Sequence, residues 1–325
     1  MILLLILILF GIAAVLAAAN QDRIIAAILA EVKKNTGVEI TAPSSHLFLA
    51  NHLIIILDQP RVSHNDRQIM TLKELRVAVA YHSIIDNRGL PLYAITLTNP
   101  TITVLAAAQN AARGTALQPD KELADGLQGA IGELSRIARN IMLIGAELRD
   151  STGNPLMDRV DITAFRTRRE SHLWTISMNG AMTRAPIKGM RFTASLRLGR
   201  GQAASTEVAR GQFLFRDAPL DAIALGGFSS PGNARGVVHF TMRDDGALSG
   251  TFDLGANGLA LNSARLTSPI SLGDLSLRAT FAVAAQQIAL ENLVLLRSRQ
   301  PLASGEARIN QPFGAAPEID ASIGG

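Results

Sequence analysis

The sequence predicts a mainly β protein: an apolar N-terminal helix, then an elongated antiparallel sheet, with one amphipathic helix near 119–141. Three observations predict it. From about residue 160 onward, apolar and polar residues alternate. Leu275, Leu277, Ala279, Phe281 and Val283, for example, are separated by Ser276, Arg278, Thr280 and Ala282. Successive side chains on a strand point to opposite faces, so such a run has one apolar and one wet face. Second, these runs recur at intervals of about 8–14 residues with turn sequences and no helices between them, the pattern of an antiparallel meander. Third, Ile2 to Ala19 contains no charged or polar side chain.

The N-terminal element is predicted as a transmembrane anchor over residues 1–22. Crossing a bilayer takes about 20 residues, and the apolar run is just long enough. Its rival is a cleaved signal peptide, since Ala17-Ala18-Ala19 resembles a small-residue cleavage site. The run is long for such a peptide, and the helical pattern continues through it. Ile24, Ile25, Ile28, Leu29 and Val32 form one stripe up to Gly37, a natural helix end. No Lys or Arg precedes the run, while Arg23, Lys33 and Lys34 follow it. Charge alone leaves the orientation open.

Residues 23–115 are predicted as that helix plus a first β region. Val38 and Ile40, then His46 to Leu57, read as strands, with turns at Ala42-Pro43-Ser44 and Asp58-Gln59-Pro60. Leu72 to Ile85, Leu92 to Leu97 and Ile102 to Leu105 follow, the first two separated by Asp86-Asn87-Arg88-Gly89. Residues 116–141 are predicted to contain a helix. Pro119 suits its first turn, Asp120, Glu122 and Asp125 suit the positive end of its dipole, and Arg136 and Arg139 suit the other end. Leu123, Leu127, Ile131, Leu134 and Ile141 make its apolar stripe. From 142 to 325 only strands are predicted: 142–149, 157–165, 172–179, 190–198, 207–215, 235–243, 247–254, 259–266, 274–283, 287–297 and 302–309. Ser151-Thr152-Gly153-Asn154-Pro155, Asp244-Asp245-Gly246 and Asn257-Gly258 are the clearest turns between them.

Composition narrows the function. Charged residues make up 18% and aromatics 4%, so the apolar surface is built of Leu, Ile, Val and Ala. A scattered net charge of +4 argues against a nucleic-acid partner. Without cysteine there is no disulfide and no thiolate metal site. His46, His52, His64, His82, His172 and His239 have no metal-ligand spacing. Gly199-Arg200-Gly201-Gln202-Ala203-Ala204 matches a loose dinucleotide fingerprint, but that mechanism needs a helix to follow and Val208 to Phe215 reads as a strand. No catalytic residue, cofactor or metal is expected.

The question is then what covers the apolar face. One parity of the late strands presents Phe192, Leu196 and Leu198, then Val238, Phe240 and Met242, then Phe252 and Leu254. It continues with Leu275, Leu277, Phe281 and Val283, then Ile288, Leu290, Val294 and Leu296. The other parity presents Arg191, Thr193, Ser195, Arg197, Thr241, Arg243, Glu291 and Arg297. The apolar parity is either the core of a closed sandwich or solenoid, or the floor of an open groove carrying a ligand. An acyl chain suits such a floor. Burying each CH₂ is worth about 0.8 kcal/mol, so a 16-carbon chain crossing water bare costs on the order of 12 kcal/mol.

The N-terminal third carries a resemblance. An apolar anchor runs into a helix ending Asn35-Thr36-Gly37, then Val38-Glu39-Ile40, a Pro43 turn and a strand ending Leu57-Asp58. Met70-Thr71-Leu72-Lys73-Glu74-Leu75-Arg76-Val77 and Tyr93-Ala94-Ile95-Thr96-Leu97-Thr98-Asn99-Pro100-Thr101-Ile102 follow. This resembles the N-terminus of AsmA-like proteins, the bacterial bridge-like lipid transfer proteins of the AsmA, TamB and YhdP type. Val38 stands where the pattern has arginine. The resemblance implies a single-pass inner-membrane anchor, the bulk of the chain in the periplasm, and a highly curved, taco-like β-groove over 142–325 that continues beyond Gly325. It implies phospholipids as cargo carried toward the outer membrane, with the sixteen apolar residues just named lining the groove. The inner membrane and other envelope proteins are the implied partners. The alternative is a non-enzymatic module that aids outer-membrane protein assembly through an exposed edge strand.

Overall fold

A computed structural model of the chain describes residues 21–36, 38–49, 51–64, 67–79, 92–103, 138–149, 152–166, 173–183, 188–199, 206–220, 232–261, 268, 270–284, 287–310 and 318–324. The apolar run Ile2–Ala19, the helix-ending Gly37 and most of the 116–141 segment lie outside them. Among the described residues, no helix is long and apolar enough to cross a membrane.

Helix α1 spans Gln21–Thr36, with Asp22 in its first turn and Lys33 and Lys34 in its last, each placed to suit the helix dipole. The first strands are short: β1 (Val38–Thr41), β2 (Ser44–Leu49), β3 (Leu53–Asp58), β4 (Arg61–His64), β5 (Arg67–Thr71), β6 (Glu74–Val79), β7 (Leu92–Thr98) and β8 (Thr101–Thr103). The later ones are longer: β9 (Ala138–Arg149), β10 (Pro155–Arg166), β11 (Trp174–Met182), β12 (Arg191–Leu198), β13 (Glu207–Pro219), β14 (Asn233–Arg243), β15 (Leu248–Leu261), β16 (Ile270–Ala284), β17 (Gln287–Arg297), β18 (Gln300–Asn310) and β19 (Glu318–Gly324). All belong to one antiparallel-rich sheet that does not close on itself.

The early strands are halves of longer ones. β2 pairs β3 while β1 pairs β4, and β3 pairs β6 while β4 pairs β5. β7 and β8 then run together along β9. The breaks fall at Ala42-Pro43, Gln59-Pro60, Leu72-Lys73 and Asn99-Pro100. Proline cannot donate to a ladder, so each proline interrupts one. Backbone bonds bridge the breaks: Gln59 N–H to the Lys73 carbonyl (2.9 Å), Lys73 N–H to Thr98 (3.0 Å), Asn99 N–H to Ile144 (2.7 Å). Gly145 continues this line into β9. It has φ +65°, and a side chain there would strike Asn99, so both space and conformation favour glycine.

β9 lies parallel to β7 and β8, while every other pairing among the described strands is antiparallel. A parallel neighbour demands a crossover connection of a dozen residues or more, and residues 104–137 supply it. The helix expected over 116–141 falls mostly in that connection. Its last four residues, Ala138–Ile141, are strand instead, with Ile141 opposite Ile95 on one side and Ala164 on the other. The apolar spacing there serves sheet pairing.

Bulges recur along the later strands. Arg159, Asp217 and Asn292 take left-handed backbone conformations (φ 53°, 58° and 51°) where register shifts occur. Each bulge bends its strand and adds twist. Gly258 (φ +65°) is another. Asn257-Gly258, expected as a turn between strands 247–254 and 259–266, instead lies inside the single strand β15. The register against β16 shifts between Ala256 and Leu259, so the glycine's conformational freedom serves a bulge. The loose Gly199–Ala204 motif does separate two strands, β12 and β13, and Asp244-Asp245-Gly246 forms a hairpin tip in which Arg243 bonds Ala247 across the turn. β4, β5 and β19 are strands the sequence pattern missed. The Asn65-Asp66 dipeptide between β4 and β5 is the turn signal that marks the first pair.

Candidate functional site

Residues directly opposite on paired strands share a face, so register reveals which side chains line up across the sheet. One row runs Leu47, Ile55, Val77, Ile95, Ile141, Ala164, Ile176 and Leu196. It continues Gly211, Phe240, Gly250, Phe281, Leu290, Ala307 and Ala321. Every member is apolar or glycine. At ~4.8 Å per step, the row extends about 65 Å.

Parallel rows widen it. Trp174, Leu198, Ala209, Met242, Leu248, Val283, Ile288, Ile309 and Ile319 form one, and Phe192, Phe215, Gly236, Leu254, Leu277 and Leu295 another. Val238 and Phe252 belong to a fourth with Met178 and Phe213, and Leu275 lies beside Ala256 at its end of the face. The predicted apolar residues thus share one continuous face, with two exceptions. Val294 stands opposite Arg278 and Leu296 opposite Ser276, so both lie on the polar face. The bulge at Asn292 inserts one residue and inverts the parity beyond it. Leu293 and Leu295 take their places on the apolar face, opposite Gly305 and Ala303. Arg297 is inverted with them and faces the apolar side, opposite Leu275.

The face is smooth because phenylalanine rings lie over glycines. Gly211 is directly opposite Phe240, and a Cβ built on it would fall 2.6 Å from Phe240 Cζ. Phe192 lies over Gly180 (2.9 Å) and Phe215 over Gly236 (2.6 Å) in the same way. A ring that would otherwise stand off the sheet is laid across its neighbour's bare backbone.

Cover over this face is uneven. At the N-terminal end, α1 seats Ile25, Ile28 and Leu29 on Ile55, Leu57, Val62 and Leu75. Midway, Trp174 is fully buried in a cluster with Leu198 and Met242. Leu254, Leu277, Ile288 and Leu290 are half-buried, and Ile319 is 71% exposed.

The opposite face carries the polar groups. Arg278 Nε reaches Asp253 Oδ2 at 2.7 Å, and Arg210 reaches Glu207 at 2.6 Å. Arg149 makes a two-pronged bond to Glu147 (3.0 Å each), which raises the guanidinium pKa, the hydrogen bond contributing most. Ser44, His46 and Asp58 meet on this face, but the carboxylate sits between the other two. Ser44 Oγ donates to Asp58 Oδ2 (2.8 Å), and His46 Nε2 lies 3.3 Å from the same oxygen. A nucleophile relay requires the imidazole beside the hydroxyl, so this trio does not form one. Among the described residues no cluster of His, Asp or Glu could hold a metal. An open hollow at the strand breaks, lined by Pro43, Gln59, Arg61 and Thr71, gathers no titratable group besides Arg61.

In comparisons with family models, curated proteins and solved structures, nothing matches the chain.

Proposed function

We propose that the protein is a membrane-anchored conduit for phospholipids, carrying acyl chains on the apolar face toward the outer membrane of a bacterial envelope. The observation that carries this reading is the unbroken apolar row from Leu47 to Ala321. A core needs a second layer, whereas much of this face from β14 onward is half-buried or exposed. Acyl chains lying there recover about 0.8 kcal/mol per CH₂. The recurring bulges support a curved, groove-like sheet, and the apolar run Ile2–Ala19 supports the anchor. The resemblance of the N-terminal third to AsmA-like proteins agrees with both.

Photocrosslinking in intact cells tests it. A photoreactive residue at Leu290 or Leu277 should capture phospholipid, and one at Glu291 or Thr251, on the polar face, should not. Equal capture from both faces, or none from either, would sink the proposal. A second reading, β-strand donation to assembling outer-membrane proteins, is favoured by β19. It is exposed throughout, carries Ile319 and Ile323 at 71% exposure, and among the described strands pairs only with β18. Capture of unfolded outer-membrane protein from a photoreactive residue at Ser322, without lipid capture at Leu290, would favour it.

A further inference from the structure

On the polar face, Arg191 at the start of β12 stands directly opposite Arg216 of β13. Arg235 of β14 lies across from the bulge that contains Arg216 and Asp217. Three arginine residues therefore occupy adjacent strands ~4.8 Å apart, with Lys188 exposed in the turn before β12 and one carboxylate, the exposed Asp217, in the same bulge. Like charges directly opposite destabilise a sheet. Elsewhere the chain relieves this: Arg197 opposes Arg210, and Glu207 takes Arg210 at 2.6 Å. Arg191, Arg216 and Arg235 are all exposed, and none makes an ion pair with a described residue. Arg235 leans the other way, across Gly255. The charge is thus concentrated against the local preference of the sheet, the kind of local conflict that function can explain.

The position suggests the anion. Phe192, Phe215 and Gly236, each adjacent in sequence to one of these arginines, belong to the apolar face. Arg191 and Arg235 lie near the starts of β12 and β14 and Arg216 near the end of β13, which antiparallel pairing brings to one edge of these three strands. A lipid whose chains lie on the apolar face has its phosphate at that rim, where arginine's planar fork binds phosphate oxygens in pairs. We propose that Arg191, Arg216 and Arg235 form a headgroup strip that holds the phosphate of an anionic phospholipid. This rests on the lipid-carrying reading of the apolar face.

Native mass spectrometry of the full chain, released from micelles holding equal phosphatidylglycerol and phosphatidylcholine, tests it. The wild type should retain phosphatidylglycerol preferentially. The double variant R191Q/R216Q should lose that preference by about fivefold per arginine while binding as many lipids in total. R216Q should melt no lower than wild type, because it removes a like-charge opposition, and R191K/R216K should keep part of the preference. An unchanged preference in R191Q/R216Q would overturn the strip. Retention of inorganic phosphate by the wild type but not by R191Q/R216Q, with no phosphatidylglycerol preference in either, would assign the arginines to a free anion and overturn the lipid source. Absence of any bound lipid in every variant would count against the apolar-face reading, a different failure from loss of preference alone.

Discussion

Phe240 can lie flat only because Gly211 has no side chain. A Cβ at Gly211 would meet both the ring and the Ser195 carbonyl oxygen, at 2.6 and 2.9 Å. The ring tip can swing away, but the carbonyl belongs to a paired strand and cannot. Gly211→Val should therefore lower the melting temperature, by an amount corresponding to about 1–3 kcal/mol of overpacking, with Gly211→Ala milder. An unchanged melting curve for the valine variant would mean that the ring is not held there. Trp174 makes the opposite test. It is fully buried, so Trp174→Ala should cost about 3–5 kcal/mol in chemical denaturation. Ile319→Ala, at 71% exposure, should stay within about 0.5 kcal/mol.

At the scale of the element, the bulge in β17 decides which side chains face which way. Asn292 sits at φ 51°, a conformation that asparagine and glycine tolerate and β-branched residues do not. Asn292→Gly should be nearly neutral, and Asn292→Val should cost about 1–3 kcal/mol, both read by equilibrium unfolding. The parity inversion has its own test. Leu295 lies opposite Leu277 and Leu296 opposite Ser276. Leu295→Asp should destabilise the sheet and abolish lipid crosslinking at the neighbouring Leu277, whereas Leu296→Asp should do neither. The reverse order would show an unbroken alternation through β17.

For the whole molecule, stability rests on apolar rows rather than on the ion pairs of the polar face. Arg278 and Asp253 are 62% and 41% exposed, so removing their bond should change stability by no more than about 1 kcal/mol. The double substitution of Phe281 and Leu290 by Asp interrupts the long row. It buries charge at Phe281, which is 9% exposed, and sets two carboxylates directly opposite each other, so it should lower the unfolding midpoint. The chains that still give β-sheet circular dichroism should capture no lipid at Leu277. Retained capture would mean that lipid does not lie along the row.

Alternation within each strand is local, and it was legible: in β12, β14 and β16 every predicted apolar residue lies on the shared face. So was α1, whose Ile25, Ile28 and Leu29 stripe rests on the sheet. Val294 and Leu296 were misread because a bulge leaves no mark in hydrophobic period; only an asparagine in an unremarkable sequence records it. Asn257-Gly258 was misread for the related reason that a left-handed dipeptide serves a turn and a bulge equally well. The Phe-over-Gly pairs were invisible, since Gly211 and Phe240 are far apart in sequence and meet only through register.

The sequence by itself determined that this chain is mainly β, with one apolar and one polar side to each strand, because side-chain direction in a strand depends only on local parity. Only the tertiary structure decided that these sides merge into one face crossing the whole sheet, that β9 turns parallel to β7, and that three arginines stand side by side. Those are properties of strand order and register, set jointly by every pairing in the sheet, and no single segment encodes them.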